Sequence, residues 1–437
     1  MTLPQLLKIF ESHGCKKLYV KNLSPNDNSK NQVYLAGSFD LLNIFPLSDV
    51  VEDSSGDWER DRFKAKVDFS WITEDGNLSL APRSQFILYP KYPEIRFSGF
   101  LARSPNPPSE LMTQRLANRL LFLGVTLKRE IIGFVADPNS ILASEYNSIE
   151  DLNSFGVFRI IELSSEKNGK IELLNQLERI HKMGWIGSKR LDSEGRIVPC
   201  QSSNCGGYTL EAELGIKPNG YSEPDFLGWE LKQFGVRNFD HTQSSIITLM
   251  TPEPTGGIYK EKGVIEFLLE YGYPDRMGRE DRINFGGIHR IDQKHQTTGL
   301  TLKLIGFDSS SGKIKSSEGR LALIDKNEIE AASWSFSSII KHWNRKHNQA
   351  CYVPSISERE PFRKYKYGNK VTLGSSTDIS LLLMEISKGS IYYDPGIKLE
   401  NASKSNAKTK RRSQFRIKSS NLKGLYYKND IVDLLKR

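Results

Sequence analysis

Up to about Ile161, short apolar runs alternate with turn residues: KLYVKNL, QVYLAGSF, SQFILYP, EIRFSGFLA, LLFLGVTL and EIIGFVA. Runs of this length, bounded by Gly, Pro, Asn and Ser, predict strands, so this part reads as a mostly β domain. One helix is expected at Leu6 to Phe10. Another is expected around Ser109 to Leu120, where charged and apolar residues mix at helical spacing. The polar, turn-rich SSEKNGK at 164–170 marks a boundary. Beyond it the period changes, with Ile171, Leu174, Leu177 and Ile180 repeating every three residues as one helical face. NCGGYTLEAELGI predicts a loop running into a helix from about Tyr208 to Leu214, and DFLGWELKQF predicts a strand. Further strands are expected at SSIITLM and LTLKLIGF, a helix at WSFSSIIKHWNRK, and a final helix after SQFRIK. At 437 residues the chain exceeds one ordinary core, which gives two domains, 1–165 mostly β and 166–437 mixed α/β.

Composition narrows the class. Apolar residues form 38% and charged residues 26% of the chain, enough for packed cores and against global disorder. No apolar run approaches the roughly 18 residues of a membrane span, and the start lacks a signal-peptide layout, so a cytoplasmic protein with no membrane partner is expected. The scattered Cys15, Cys200, Cys205 and Cys351 read as reduced thiols; Cys200 and Cys205 lie close, but no second Cys/His pair follows at zinc spacing. Sixty-one Lys and Arg against fifty-two Asp and Glu give +9, which suits a polyanion. Clustering matters more than the total: KSNAKTKRRSQFRIK, Lys404 to Lys418, contains no acid and needs a partner or a solvated tail.

The chemistry concentrates in PDFLGWELKQF. Glu230 and Lys232 are two apart on the expected strand and share a face, while Leu231 turns to the core. Asp225 precedes them. Two carboxylates at one strand end can hold a divalent cation through hard oxygens, and an adjacent ammonium can position water, as phosphodiester hydrolysis requires. The pattern alone is common, and a strand ending in solvated charges explains it equally. Context adds Glu211, on a helix that follows a Gly-Gly loop.

The string GGYTLEAELGIKPNGYSEPDFLGWELK resembles the core of the MvaI/BcnI restriction endonucleases and of the mismatch-repair nickase MutH, which share the PD-(D/E)XK nuclease fold. The resemblance implies Asp225 and Glu230 as ligands of Mg²⁺, Lys232 as catalytic lysine and Glu211 as a supporting acid. It extends through GWIGSKR, WSF at 334–336 and SQFRIK, where Arg416 matches a base-reading arginine; Thr409 and Arg411 stand where that family places two histidines. Lys408, Lys410, Arg411, Arg412 and Arg416 can neutralise phosphates or fork onto guanine.

YVKNLSPNDNSKNQVYL and IFPLS resemble the effector-binding domain of EcoRII-type enzymes, a B3-like pseudobarrel with two DNA-gripping loops; without that likeness LSPND is only a turn. Lys21, Ser24, Asn26, Asp27 and Lys30 would lie on the first loop, Arg96 and Arg103 on the second. The pairing of a B3-like domain with an α/β PD-(D/E)XK domain is the layout of type IIE restriction endonucleases. It implies double-stranded DNA bound in two copies, a CCWGG-type site, a monomer and a separate cognate methyltransferase. Competing readings are a MutH-like or methylation-directed nickase and a non-catalytic DNA-binding protein. The loop MTPEPTGG follows the catalytic strand in sequence. His289 and His295 are expected at the surface, and Trp185, Trp229, Trp334 and Trp343 in cores.

Overall fold

The computed structural model describes the chain except residues 26–31, 54–60, 92, 164–168 and 218–224, and the side chains of 344–346. It divides into two compact units, Met1–Lys167 and Asn168–Arg437. No helix among the described residues is long and apolar enough to cross a membrane.

The first unit holds two largely antiparallel sheets. One has seven strands, ordered Ser154–Phe155, Phe158–Glu162, Lys17–Leu23, Arg119–Val125, Ile131–Ala136, Phe69–Ile72 and Leu78–Leu80; the other has five, ordered Val33–Ala36, Glu94–Ser98, Gln85–Tyr89, Arg62–Lys66 and Asp49–Asp53. Alternation along Lys17–Leu23 explains the layering. Leu18 and Val20 pack with Leu6 and Phe10 of the helix Leu3–Ser12 and with Leu142 and Tyr146 of the helix Ile141–Asn147. Tyr19, between them in sequence, meets Phe45 and Phe158 edge-on. The helix expected over Ser109 to Leu120 stops at Thr113, because Arg119–Val125 is a central strand buried on both faces.

The second unit is built on Gln349–Glu358. Lys370–Ser375 and Lys364–Tyr367 pair with its two halves in antiparallel fashion, and Glu230–Gly235 runs parallel along it, Glu230 opposite Ala350 and Lys232 opposite Tyr352. The helix Gly169–Lys182 covers this sheet with Leu173, Leu174, Leu177 and Ile180; Ile171, expected on that face, is exposed because it lies in the first turn. Among the described residues two two-stranded sheets and three larger ones complete the unit. The larger ones pair Ile246–Met250 with Phe415–Lys418 and Ile391–Tyr393, Arg282–Gly286 with Gly396–Glu400 and Lys408–Lys410, and Thr301–Ile305 with Arg320–Ile324 and Glu330–Ser335.

Several local expectations need correction. Trp334 and Ser335 end a strand, and the helix begins at Phe336 with Ser335 as its cap. No α-helix follows SQFRIK: a 3₁₀ turn, Ser419–Leu425, leads into the edge strand Lys428–Asp433. Trp229, Trp334 and Trp343 are buried, but Trp185 is exposed beneath Lys364, whose ammonium lies 5.1 Å from its ring centroid. His289 is fully buried rather than superficial, stacked between Phe285 and His295 and bonded to Thr298 Oγ1 at 2.9 Å. Cys200 and Cys205 are joined as a disulfide, not reduced. The turn between them holds their Cα atoms 5.7 Å apart, within bridging range.

Candidate active site and DNA interface

The strand Glu230–Gly235 begins later than the apolar run suggests, because Phe226–Trp229 is a two-residue reverse turn. The backbone N–H of Phe226 donates to Trp229 O at 3.0 Å, and that of Trp229 to Phe226 O at 2.8 Å. Its central residues, Leu227 (φ +46°) and Gly228 (φ +86°), are both left-handed, as a primed hairpin turn demands. Glycine meets that demand without strain; leucine does not. The turn folds Asp225 back against the start of the strand that carries Glu230. Asp225 Oδ2 accepts the N–H of Leu231 at 2.8 Å, which fixes it beside the strand.

Glu230 is 2% exposed, and Lys232 Nζ donates to its Oε1 at 2.6 Å. Beneath this pair the hydroxyls of Tyr352 and Tyr426 bond to each other at 2.8 Å. Burial lifts the pKa of both phenols, with the Glu230 carboxylate adding to the effect, so they stay protonated and keep that bond. Lys232 also faces a cavity of about 140 Å³ walled by Thr248, Met250, Thr251, His342 and His347. His347 is held there by stacking on Trp343 at 4.0 Å, and Trp343 by its Nε1–H bond to Thr377. Nothing in the sequence spacing announces these residues, since three separate segments supply them.

Glu211 lies on the helix Cys205–Glu213, which starts three residues earlier than expected and includes both glycines. Gly206 explains this. A Cβ there would lie 2.6 Å from Gln233 Oε1, and its carbonyl accepts the Tyr367 hydroxyl at 2.7 Å, so the helix and the strand Glu230–Gly235 approach through the missing side chain. Among the described residues no three His, Cys, Asp or Glu side chains gather as a metal-ligating group; Glu211 does not join Asp225 and Glu230 in one. The pair still fits Mg²⁺, which takes one or two carboxylates and completes its shell with water and substrate phosphate.

The basic segment after Lys404 is not a tail but two short strands joined by an irregular stretch that carries Arg411 and Arg412. Lys408–Lys410 forms a hairpin with Gly396–Glu400, and Phe415–Lys418 is the central strand of its sheet. Lys408, Arg411 and Arg412 are exposed, and Lys410 pairs with Glu400 at 3.2 Å. Registers place Arg282, Lys398, Lys408 and Lys410 on one face of their sheet. Burial and then the charges of Arg282, Arg279 and Arg412 pull the Lys398 pKa down, a field that an approaching polyanion would relieve. Arg416 sits opposite Thr248, in the wall of the Lys232 cavity. Its guanidinium is held by Asp394 at 2.6 Å and Gln414 at 2.7 Å.

In the first unit Lys21 is half-buried, Ser24 and Arg103 are exposed, and Arg96 pairs with Glu94 and stacks on Tyr89. Asn26, Asp27 and Lys30 lie outside the described residues.

Among solved structures, restriction endonuclease MvaI in complex with its cognate DNA substrate is similar at 22% identity, covering 61% of this chain and 99% of that one with a TM-score of 0.46. MvaI in the absence of DNA is similar at 21% identity, covering 62% and 99%, with a TM-score of 0.34. No curated protein matches the chain. Residues 174–426, more than half of the sequence, match the model of the MvaI/BcnI restriction endonuclease family, and the chain belongs to that family.

Proposed function

We propose that the chain is a Mg²⁺-dependent type II restriction endonuclease that hydrolyses phosphodiester bonds in double-stranded DNA. The observation that supports this reading is the reverse turn that returns Asp225 to the strand carrying Glu230, where Lys232 bonds to Glu230. Asp225 and Glu230 would hold the cation, which supplies Lewis-acid neutralisation of charge on the phosphoryl group. Lys232, steadied by Glu230, orients the attacking water and offers its protons to the phosphate as negative charge builds. The buried tyrosine pair keeps the floor of the site dry and rigid. Arg416 and the cationic sheet face supply base contact and backbone grip respectively. A CCWGG-type site, a second DNA copy on the first unit as effector, a monomeric chain and a partner methyltransferase complete the proposal.

Cleavage of plasmids with two, one or no CCWGG sites, in Mg²⁺ and in EDTA, tests it with wild type and Lys232→Ala. The expected result is metal-dependent cutting, fastest on the two-site plasmid, that Lys232→Ala lowers by about 10²-fold or more while DNA binding persists. Specific binding with no cutting by the wild type would replace the nuclease by a DNA-binding protein. Nicking without double-strand breaks would point to a nickase.

A further inference from the structure

The first unit contains a cleft with a charge imbalance that the described residues do not offset. The cleft encloses about 320 Å³ between the end of the strand Lys17–Leu23, the strand Val33–Ala36 and the segment from Met112 to Arg119. Three cations line it, Lys21, Arg96 and Arg119. Arg119 is 1% exposed, and among the described residues its guanidinium donates only to main-chain carbonyls, those of Leu111, Leu116 and Ser24. Lys21 is half-buried, with its ammonium 5.8 Å from the ring centroid of Tyr34. Burial lowers the pKa of both, and no acidic side chain among the described residues opposes either shift. Cations withdrawn from water are normally offset by a carboxylate, and an unpaired one costs several kcal/mol in general. Arg96, on the same rim, already has Glu94 and is the weaker candidate for a ligand.

The rest of the lining differs in character. Leu23, Val33 and Met112 are buried apolar side chains, whereas the Tyr34 ring is 42% exposed at the mouth. A ligand matching this cleft carries negative charge at one end and a flat, partly apolar body at the other. The volume is that of a small-molecule site, larger than a lone inorganic anion requires.

We propose that this cleft binds a single phosphate-bearing nucleotide, its phosphate at Lys21 within the field of Arg119 and its base against the ring of Tyr34. The inference rests on the reading of the first unit as a DNA-handling domain and narrows it to one nucleotide-sized pocket. The nucleotide is either free or presented by a DNA strand.

The test uses the full chain carrying Lys232→Ala, so that DNA is bound but not cut. Calorimetric titrations employ deoxycytidine monophosphate, deoxycytidine, inorganic phosphate and a short CCWGG duplex. The monophosphate is expected to bind about tenfold more tightly than the nucleoside or phosphate alone. Lys21→Gln and Tyr34→Ala should each weaken it about tenfold, the effects of losing one charge-assisted bond and one stacking platform. Tyr34 is exposed enough for its removal to spare the fold. If no free nucleotide binds, but both substitutions weaken the second equivalent of duplex about tenfold, the nucleotide is strand-presented and the pocket stands. Unchanged binding of monophosphate and duplex in both variants overturns it, as does absence of any second duplex or nucleotide binding. Cleavage by chains that retain Lys232 reports on the nuclease separately, so failure of the pocket and failure of the nuclease are distinguishable.

Discussion

Replacing Gly228 by alanine probes how the paired carboxylates are made. The residue has φ +86°, and an added Cβ would meet only Gln349 Oε1 at 3.7 Å, ordinary contact, so no clash complicates the result. The cost is therefore conformational, about 1–2 kcal/mol for an L-residue held left-handed. Leu227, at φ +46°, already bears such a penalty, and the turn has little left to absorb a second. If the hairpin stays intact, the C-terminal unit loses that stability. If it relaxes, Asp225 leaves Leu231 N–H and the carboxylates separate, which the same energy converts to a roughly 5–30-fold loss of cleavage at limiting Mg²⁺. Single-turnover cleavage across a Mg²⁺ titration, with urea unfolding in parallel, separates the alternatives. Gly228→Asn, which tolerates the left-handed region better, should recover part of the loss. Alanine at 228 with wild-type stability and wild-type Mg²⁺ dependence would refute the idea that this turn builds the site.

Other expectations follow from the interface and from the buried imidazole. Arg416→Ala should cost about 1–3 kcal/mol of discrimination between cognate and single-mismatch duplexes, measured by competition binding. Asp394→Asn should also erode discrimination, because Arg416 loses the partner that aims it. Lys410→Ala should weaken binding to all sequences alike and reduce the slope of log affinity against log salt by about one. His289 is held neutral, its pKa lowered from 6.5 to about 3 by burial and by His295. A group with a depressed folded pKa contributes full stability above its unfolded value and loses it as pH falls. Unfolding free energy should thus drop by about 2 kcal/mol between pH 7 and pH 5, and His289→Phe should flatten that dependence.

The sequence carried local periodicity well and spatial convergence poorly. Two-residue alternation placed Glu230 and Lys232 on one strand face, with Leu231 between them packed in the hydrophobic core. The turn before it was hidden, since Phe-Leu-Gly-Trp reads as an apolar run and only the positive φ of Leu227 reveals a reversal. Gly-Gly was taken for a loop because helix propensity disfavours glycine; a close approach to Gln233 outweighed that preference. Residues whose importance depends on distant segments, such as His347, Asp394 and Lys398, left no local trace. The disulfide was missed because usage across the whole chain argued for thiols, whereas five-residue proximity alone decided the pairing.

Under the proposed function, the parallel pairing of Glu230–Gly235 with Gln349–Glu358 also bears on when the chain could first cut DNA. The strand bearing Glu230 and Lys232 finds its sheet partner more than a hundred residues later, and Tyr426, whose hydroxyl bonds to that of Tyr352, comes later still. A growing polypeptide emerging from the ribosome thus holds its acidic pair without the scaffold that aligns it. If Asp225, Glu230 and Lys232 form the nuclease site as proposed, cutting competence arrives only once Gln349–Glu358 has been made, and fragments truncated before Gln349 should be harmless to DNA.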